Sequence, residues 1–458
     1  VTTPGILSPS ALADLIDEGD VDTVLVVFPD LHGRLLGKRV TGHFWLDHVG
    51  AGEGIEACEY LLAVDVDMNP LPGYRFASWE TGYGDVRCVP DVSTLRLVPW
   101  LERTALVFCD VVDVETAEPV EVAPRTILHR QVERARAMGL TVMVGSEVEF
   151  FLFRDTYEEA AAKGYRGLRP DSDVVQDYHI LRTSRDEHLI RQIRNGLDGA
   201  GVPVEFSKGE AGVGQHEINL RYTTPVEMAD RNTLYKHAAK EIAHQHGRSV
   251  TFMAKYSIDE VGSSCHIHSS VWDDSATVPL MWDAESHGSS DIFRWYLGGL
   301  LATAREMALL FAPYVNSYKR YQPGSWAPTA VAWGHDNRTT GFRRVGHGAG
   351  HRVESRIPGA DANPYLAFAA TIIGGLHGIE HRIDPGPAFE GNAYDADGLA
   401  HIPSNIVEAI ELFDSSEIAR AALGDDVHHH LLNTAKQEWA AFNRTVTEWE
   451  LRRGFEQL

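Results

Sequence analysis

The sequence predicts a mixed α and β protein in two parts, and three observations carry that reading. Runs rich in Val and Leu, bounded by Gly, Pro or Asp, dominate the stretch up to residue 115. From Leu140 to Pro358 strand and helix patterns alternate, and after Asn363 the pattern is mostly helical. A chain of 458 residues with 44% hydrophobic content has the length and the apolar mass for a small domain joined to a large one.

Each element has a local reason. Ser8-Pro9-Ser10 before Ala11-Leu12-Ala13 reads as a helix start, a hydroxyl at the N-cap and proline at the first helical position. Asp22–Phe28, Tyr60–Val66, Leu95–Val98 and Ala105–Val112 are the expected strands of the small part. Pro124 opens a helix whose Leu128, Val132, Ala135 and Met138 form one stripe, closed by Gly139. The boundary is placed just before it, giving domains 1–115 and 116–458. Helices are expected at Pro364–Leu376, Ser404–Leu423 and Asp426–Phe455. His428-His429-His430 looks like a metal cluster, yet consecutive helical residues point about 100° apart, so an ordinary helix is expected there.

Charge narrows the function classes. The chain carries 41 Lys+Arg against 65 Asp+Glu, a net −24, and no basic stripe, which disfavours nucleic acid and anionic membranes as partners. Tyr365–Ile379, the longest apolar stretch, falls short of a membrane span. Cys58, Cys88, Cys109 and Cys265 are too sparse to staple the chain, and Val-Thr-Thr-Pro-Gly at the start lacks a secretory pattern, so a cytoplasmic location is expected. There is no GxSxG elbow and no HExxH helix. Gly346-His347-Gly348-Ala349-Gly350 lacks the lysine of a phosphate loop and is expected as a loop beside the site.

Four segments then point to one chemistry. In Gly145–Phe153, strand alternation puts Glu147 and Glu149 on one face of an apolar strand, where two like charges call for a cation or a proton. His266, His268 and Ser270 share a face in the same way, and so do Arg352, Glu354 and Arg356. Glu210 precedes a glycine turn, after which Glu217, Asn219 and Arg221 alternate. Five glutamates with one histidine form an oxygen-rich donor set suited to Mg²⁺ or Mn²⁺, and the neighbouring arginines suit phosphate, which together suggest metal-assisted phosphoryl transfer.

These segments resemble the glutamine synthetase family. The matches are Gly145–Phe153, Gly-Gln-His-Glu at 214–217, Thr-Phe-Met-Ala-Lys at 251–255, Asn-Ser-Tyr-Lys-Arg at 316–320, Asp-Asn-Arg at 336–338 and Arg352–Ala367. The resemblance implies an α+β fold, with a β-grasp-like N-terminal domain and a catalytic domain around an antiparallel sheet. It also implies a homo-oligomer, a dodecamer of two hexameric rings with sites between subunits. One divalent ion would be held by Glu149, Glu210 and Glu217, the other by Glu147, His266 and Glu354. Arg320 and Arg356 would grip L-glutamate, with Gly262 at its amino group. Arg338, Arg343 and Arg352 would face the phosphates of ATP, with His268 and Ser270 nearby and Tyr222 beside the adenine. Arg338, Arg320 and Arg356 would be the catalytic arginines.

Departures from the family pattern bear on the acceptor. Pro323-Gly324-Ser325-Trp326-Ala327-Pro328 has tryptophan where ordinary members carry a glutamate, and Ala63–Met68 lacks the Asp-Gly-Ser-Ser segment, leaving Asp65 or Asp67 as the only acids there. Val261 replaces a usual asparagine. An aromatic wall in place of an acid suits an alkylamine better than ammonium. The pattern is similar to the glutamine-synthetase-like γ-glutamyl-amine ligases, with ethanolamine the first expected acceptor and a polyamine the second. The alternatives are a plain glutamine synthetase using ammonium and a non-catalytic oligomeric scaffold. Tyr394 falls where some members are adenylylated, and a structural tyrosine is expected.

Overall fold

The computed structural model describes residues 3–458 and contains two large sheets. The first uses strands β1 (Thr23–Pro29), β2 (Leu35–Thr41), β3 (Ile55–Cys58), β4 (Asp85–Pro90), β5 (Arg96–Leu97) and β6 (Thr104–Asp113) in the order β2-β1-β6-β4-β3, with β5 on β6. β1 and β6 run parallel, from Thr23 opposite Thr104 to Val27 opposite Phe108, and the other pairs are antiparallel. Both central strands are buried, as near-continuous apolar runs require.

The second sheet has eight strands: β7 (Leu140–Phe153), β8 (Val204–Gly209), β9 (Gln215–Leu220), β10 (Ser249–Thr251), β11 (Cys265–Asp273), and, after a separate pair β12 (Trp282–Asp283) and β13 (Gly288–Ser289), also β14 (Trp333–His335), β15 (Phe342–Val345) and β16 (Arg352–Ser355). Its order is β14-β15-β16-β11-β7-β9-β8, with β10 on β7, and only β14 and β15 run parallel. One hydrophobic core runs through both sheets and the helices behind them. The helix Pro364–His381 is buried almost all round and lies against the helix Asp291–Thr303. A Cβ on Gly299 would stand 2.1 Å from the carbonyl of Gly374, so only glycine permits this approach.

An ion cluster around the buried Arg125 ties the first sheet to helices that follow it in the chain. Arg125, on the helix Pro124–Ala137, pairs with Asp110 of β6, with Asp91 at 2.7 Å and with Asp230 at 3.2 Å. Tyr365 donates its hydroxyl to the same Asp230.

Several sequence expectations change in detail. Tyr60–Val66 is not a strand: Glu59–Leu62 is a 3₁₀ turn whose Leu62 carbonyl accepts a hydrogen bond from His430, and a turn follows in which Asp65 accepts from the amides of Asp67 and Asn69. Ser404–Leu423 is two helices, Ile406–Asp414 and Glu417–Leu423, because Ser416 caps the second by accepting from Ala419. Asp426–Phe455 likewise divides into Asp425–Phe442 and Glu448–Gly454, where Thr447 and Glu450 form a capping box. The three histidines diverge on an ordinary helix, His428 bonding to the Phe413 carbonyl and His430 to that of Leu62. No helix is long and apolar enough to cross a membrane among the described residues.

Candidate active site

Strand register assembles the site. Glu149 lies opposite Glu217 across β7 and β9, and Glu217 lies opposite Lys208 across β9 and β8. One row further on, Glu147 faces Asn219 on one side and His266 on the other. His268 faces Glu354, and Glu354 faces Arg343. The alternation of six strands thus turns one polar face of the sheet into a cavity of about 840 Å³ that also takes in Gly262, Arg320, Trp326, Arg338, Arg352 and Arg356.

The carboxylates are crowded in a way that needs positive charge. Among the described residues, donor atoms of Glu149, Glu210 and Glu217 come within 4.8 Å of one another, as do those of Glu147, Glu217 and His266, and those of Glu147, His268 and Glu354. Burial pushes the Glu149 carboxyl up to about 7, with the charge of Glu210 adding to it, although the Ser264 amide donates to it at 2.7 Å. Burial and then the charges of Glu147, Glu210 and Glu149 raise Glu217 well above the carboxylate range. His266 is held down at about 4 by burial and by the nearby Arg356 guanidinium, so its imidazole is neutral and free to act as a ligand at neutral pH. Buried oxygens that repel one another beside a neutral imidazole are the donor set a divalent cation satisfies, so these residues fit Mg²⁺ or Mn²⁺.

The expected trio of Glu147, His266 and Glu354 is shared between two of these groups. His266 Nδ1 stands 3.4 Å from Glu147 and 3.8 Å from Glu354, while His268 Nε2 is 2.9 Å from the other oxygen of Glu147. Both oxygens of Glu354 are engaged, one by Arg343 and the other by Arg356 at 2.9 Å. Burial opposes ionisation of Glu354, but His266, His268 and the two guanidiniums hold its carboxyl at about 2.

The arginines divide into held and free. Arg320 is 2% exposed and donates to the carbonyls of Ile357 and Arg356. A Cβ on Gly262 would come within 2.6 Å of Arg320 Cγ, so glycine there is a packing requirement. Arg356 also donates to the Trp326 carbonyl at 3.1 Å, and Tyr394 donates to the next carbonyl, that of Ala327, at 2.9 Å. These bonds hold the 323–328 segment at the cavity wall, with Trp326 at a φ of +64° and 57% exposed. Arg343 pairs with Asp336 as well as Glu354, and Arg352 donates to His268 at 3.0 Å. Arg338 is exposed and has no hydrogen-bond partner among the described residues. Tyr222 and Ser270 line an adjoining cavity of about 410 Å³ that shares Glu147, His268 and Arg352 with the first and includes Ala349 and Gly350. Asp65 and Asp67 lie outside the main cavity of their own chain, in the turn that Arg34 braces through the carbonyls of Asp65 and Val66.

Some lining residues escaped the sequence reading. Gln215 donates to Glu149 and to the Gly262 carbonyl, joining two segments. Lys208 pairs with Glu210, and its alternation with Glu210 along the chain was a usable signal.

Comparison with known proteins decides the relationship. Residues 121–454 match the family described as glutamine synthetase, catalytic domain. The chain belongs to the glutamine synthetase family. Within that family it is 51% identical to the gamma-glutamylethanolamide synthetase of Streptomyces coelicolor over 452 residues, covering 99% of this chain and 96% of the relative. It is 36% identical to the glutamate–isopropylamine ligase of a Pseudomonas species, covering 96% of each. A solved GmaS/ADP complex aligns with a TM-score of 0.84 at 27% identity, covering 97% of this chain and 99% of that one. The mixed helix and sheet architecture is therefore that of a glutamine-synthetase-like ligase.

Proposed function

We propose that this chain uses ATP to join the γ-carboxylate of L-glutamate to a primary amine, with ethanolamine the first candidate and a polyamine the second. The observation that carries the acceptor choice is Trp326, an exposed indole on the wall of the cavity that holds the carboxylates and arginines. Its apolar face suits a carbon chain, and its quadrupole attracts an alkylammonium by about 0.5–2 kcal/mol. The likeness to ligases named for ethanolamide and isopropylamine supports the same choice.

In this reading the nucleotide base lies by Tyr222 and Ser270, and its phosphates reach the main cavity past Arg352 and Arg343. The free guanidinium of Arg338 meets the phosphoryl group as it passes from ATP to a γ-carboxylate oxygen, with ADP leaving. Arg320 and Arg356 fix the glutamate carboxylates by charge, while the two terminal nitrogens of Arg356 also hold Glu354 and the Trp326 carbonyl in place. The alkylammonium first gives a proton to a nearby carboxylate, the freed amine nitrogen attacks the γ-carbonyl carbon, phosphate leaves with the bonding electrons, and the second proton passes to a carboxylate or to the departing phosphate. Glu149, Glu210 and Glu217, with Glu147, His266, His268 and Glu354, would hold divalent cations, which supply charge neutralisation at the phosphates when bound.

We also propose a division near residue 115, a ring-shaped homo-oligomer of twelve chains with sites between subunits, and a cytoplasmic location; the acid nature of Asp65 and Asp67 and their turn at the surface support a role in a neighbouring subunit's site.

The test is phosphate release with ATP, Mg²⁺ and L-glutamate against ammonium, ethanolamine, putrescine, spermine and isopropylamine in parallel, for wild type and Trp326→Ala. Preference for an amine, altered by the substitution, is the expected result. Preference for ammonium over every amine, or an unchanged profile in Trp326→Ala, would return the plain glutamine synthetase reading.

A further inference from the structure

The cavity carries one fixed positive charge that the reaction does not call for. Lys208 projects from β8 beside Glu217. Its ammonium is ion-paired with Glu210, lies 3.5 Å from Asp177 and sits 4.4 Å from the centre of the Tyr178 ring. A further contact runs to the Gly209 carbonyl at 3.4 Å. Held from four directions, the charge is anchored and does not sweep through solvent as a surface lysine does.

Its position matters because of what surrounds it. Tyr178, Ile180, Phe206 and Trp326 are all more than half exposed and line the same cavity. An acceptor that lays its carbon chain on Tyr178 brings its far end next to Lys208. A hydroxyl or a methyl group there meets no penalty, but a second ammonium meets a like charge in a partly desolvated site. Lys208 also occupies Asp177, the carboxylate outside the metal cluster that would otherwise seat that second ammonium.

Resting on the ligase reading above, we propose that Lys208 is a charge filter that admits monoamines with uncharged tails and excludes di- and polyamines. The filter acts by repulsion and by taking the seat, so the rejected substrate loses twice. Of the two acceptor classes considered, it selects ethanolamine over the polyamines.

The test compares putrescine with n-pentylamine, which match in length and differ in a terminal ammonium against a methyl group. Ethanolamine is the reference substrate, and wild type, Lys208→Met and Lys208→Arg are the enzymes. The wild type should prefer n-pentylamine to putrescine by at least about tenfold in kcat/KM, Lys208→Met should shrink that ratio by at least about fivefold, and Lys208→Arg should keep it. Adding Asp177→Asn to Lys208→Met should reverse the gain in putrescine use. A ratio in Lys208→Met within about twofold of wild type, or a collapse of the ratio in Lys208→Arg, overturns the filter. Should Lys208→Met fold poorly or lose turnover, Lys208→Gln, which removes the charge and keeps a donor for Glu210, is assayed with the same pair. Lys208→Gln should shrink the ratio in the same direction, and a ratio within about twofold of wild type overturns the proposal. Failure of the ligase reading itself is separate, since it shows as a wild type that prefers ammonium.

Discussion

Arg356→Lys isolates the hinge between the carboxylate cluster and the amine wall. The native guanidinium sends one nitrogen to Glu354 at 2.9 Å and the other to the Trp326 carbonyl at 3.1 Å, and the residue is 5% exposed. A lysine ammonium is a single point and keeps at most one of these bonds while retaining the charge. A hydrogen bond to a charged group is worth about 1.5–3 kcal/mol, which at about 1.4 kcal/mol per tenfold predicts a loss of about ten- to about 150-fold. The loss should fall on kcat/KM for L-glutamate, read from phosphate release at saturating ATP and amine, with thermal unfolding to confirm an intact fold. Because the second bond anchors Trp326, the ranking of amines should shift in the same variant. A glutamate KM within about threefold of wild type, below about 0.7 kcal/mol, together with an unchanged amine ranking would refute the reasoning.

Other expectations follow from the same geometry. Glu149→Ala removes a buried oxygen from the crowded carboxylates and should abolish Mg²⁺-dependent phosphate release, while wild type should stop in excess chelator; full turnover in either condition speaks against a metal role. Arg125→Met leaves Asp230, 1% exposed, without its cation and should destabilise the chain by about 3–5 kcal/mol, seen as a lower denaturant midpoint; a midpoint equal to wild type would mean the cluster contributes nothing. His430 is held at about 4, chiefly by burial, against about 6.5 when unfolded, so between these values the unfolded chain binds the extra proton and stability falls as pH falls. The slope from this residue is up to about 1.4 kcal/mol per pH unit, and His430→Gln, which keeps a donor for the Leu62 carbonyl, should flatten it.

The site was more legible than the fold around it, for a physical reason. Charged residues alternating within apolar strands have few bland explanations, and the register brings Glu147, Glu149, Glu217, His266, His268 and Glu354 to one face as the alternation requires. Alternation does not say which donors share a centre. That depends on the competition of Arg343 and Arg356 for Glu354 and of His268 for Glu147, which only the packed structure shows. β2 and β3 carried little strand signal because they are edges: β2 holds Gly37, Lys38 and Arg39 in its exposed middle, and β3 is four residues long. Tyr60–Val66 misled through its apolar content, which packs against the C-terminal helices as a turn and not through a ladder. The breaks at Ser416 and Thr447 were visible as hydroxyl caps, but the apolar periodicity around them outweighed the signal.

The backbone at residue 326 holds a consequence for altering this protein. A φ of +64° is a conformation in which a tryptophan gives up roughly 1–2 kcal/mol that glycine does not. The bonds from Arg356 and Tyr394 to the carbonyls of residues 326 and 327 sit on the main chain and do not depend on the side chain. Shortening the indole to glycine therefore widens the mouth of the cavity and relaxes the loop in the same step. Libraries aimed at branched or aromatic amines have a natural starting point at this residue, where room for a bulkier product and relief of the main chain pull in one direction.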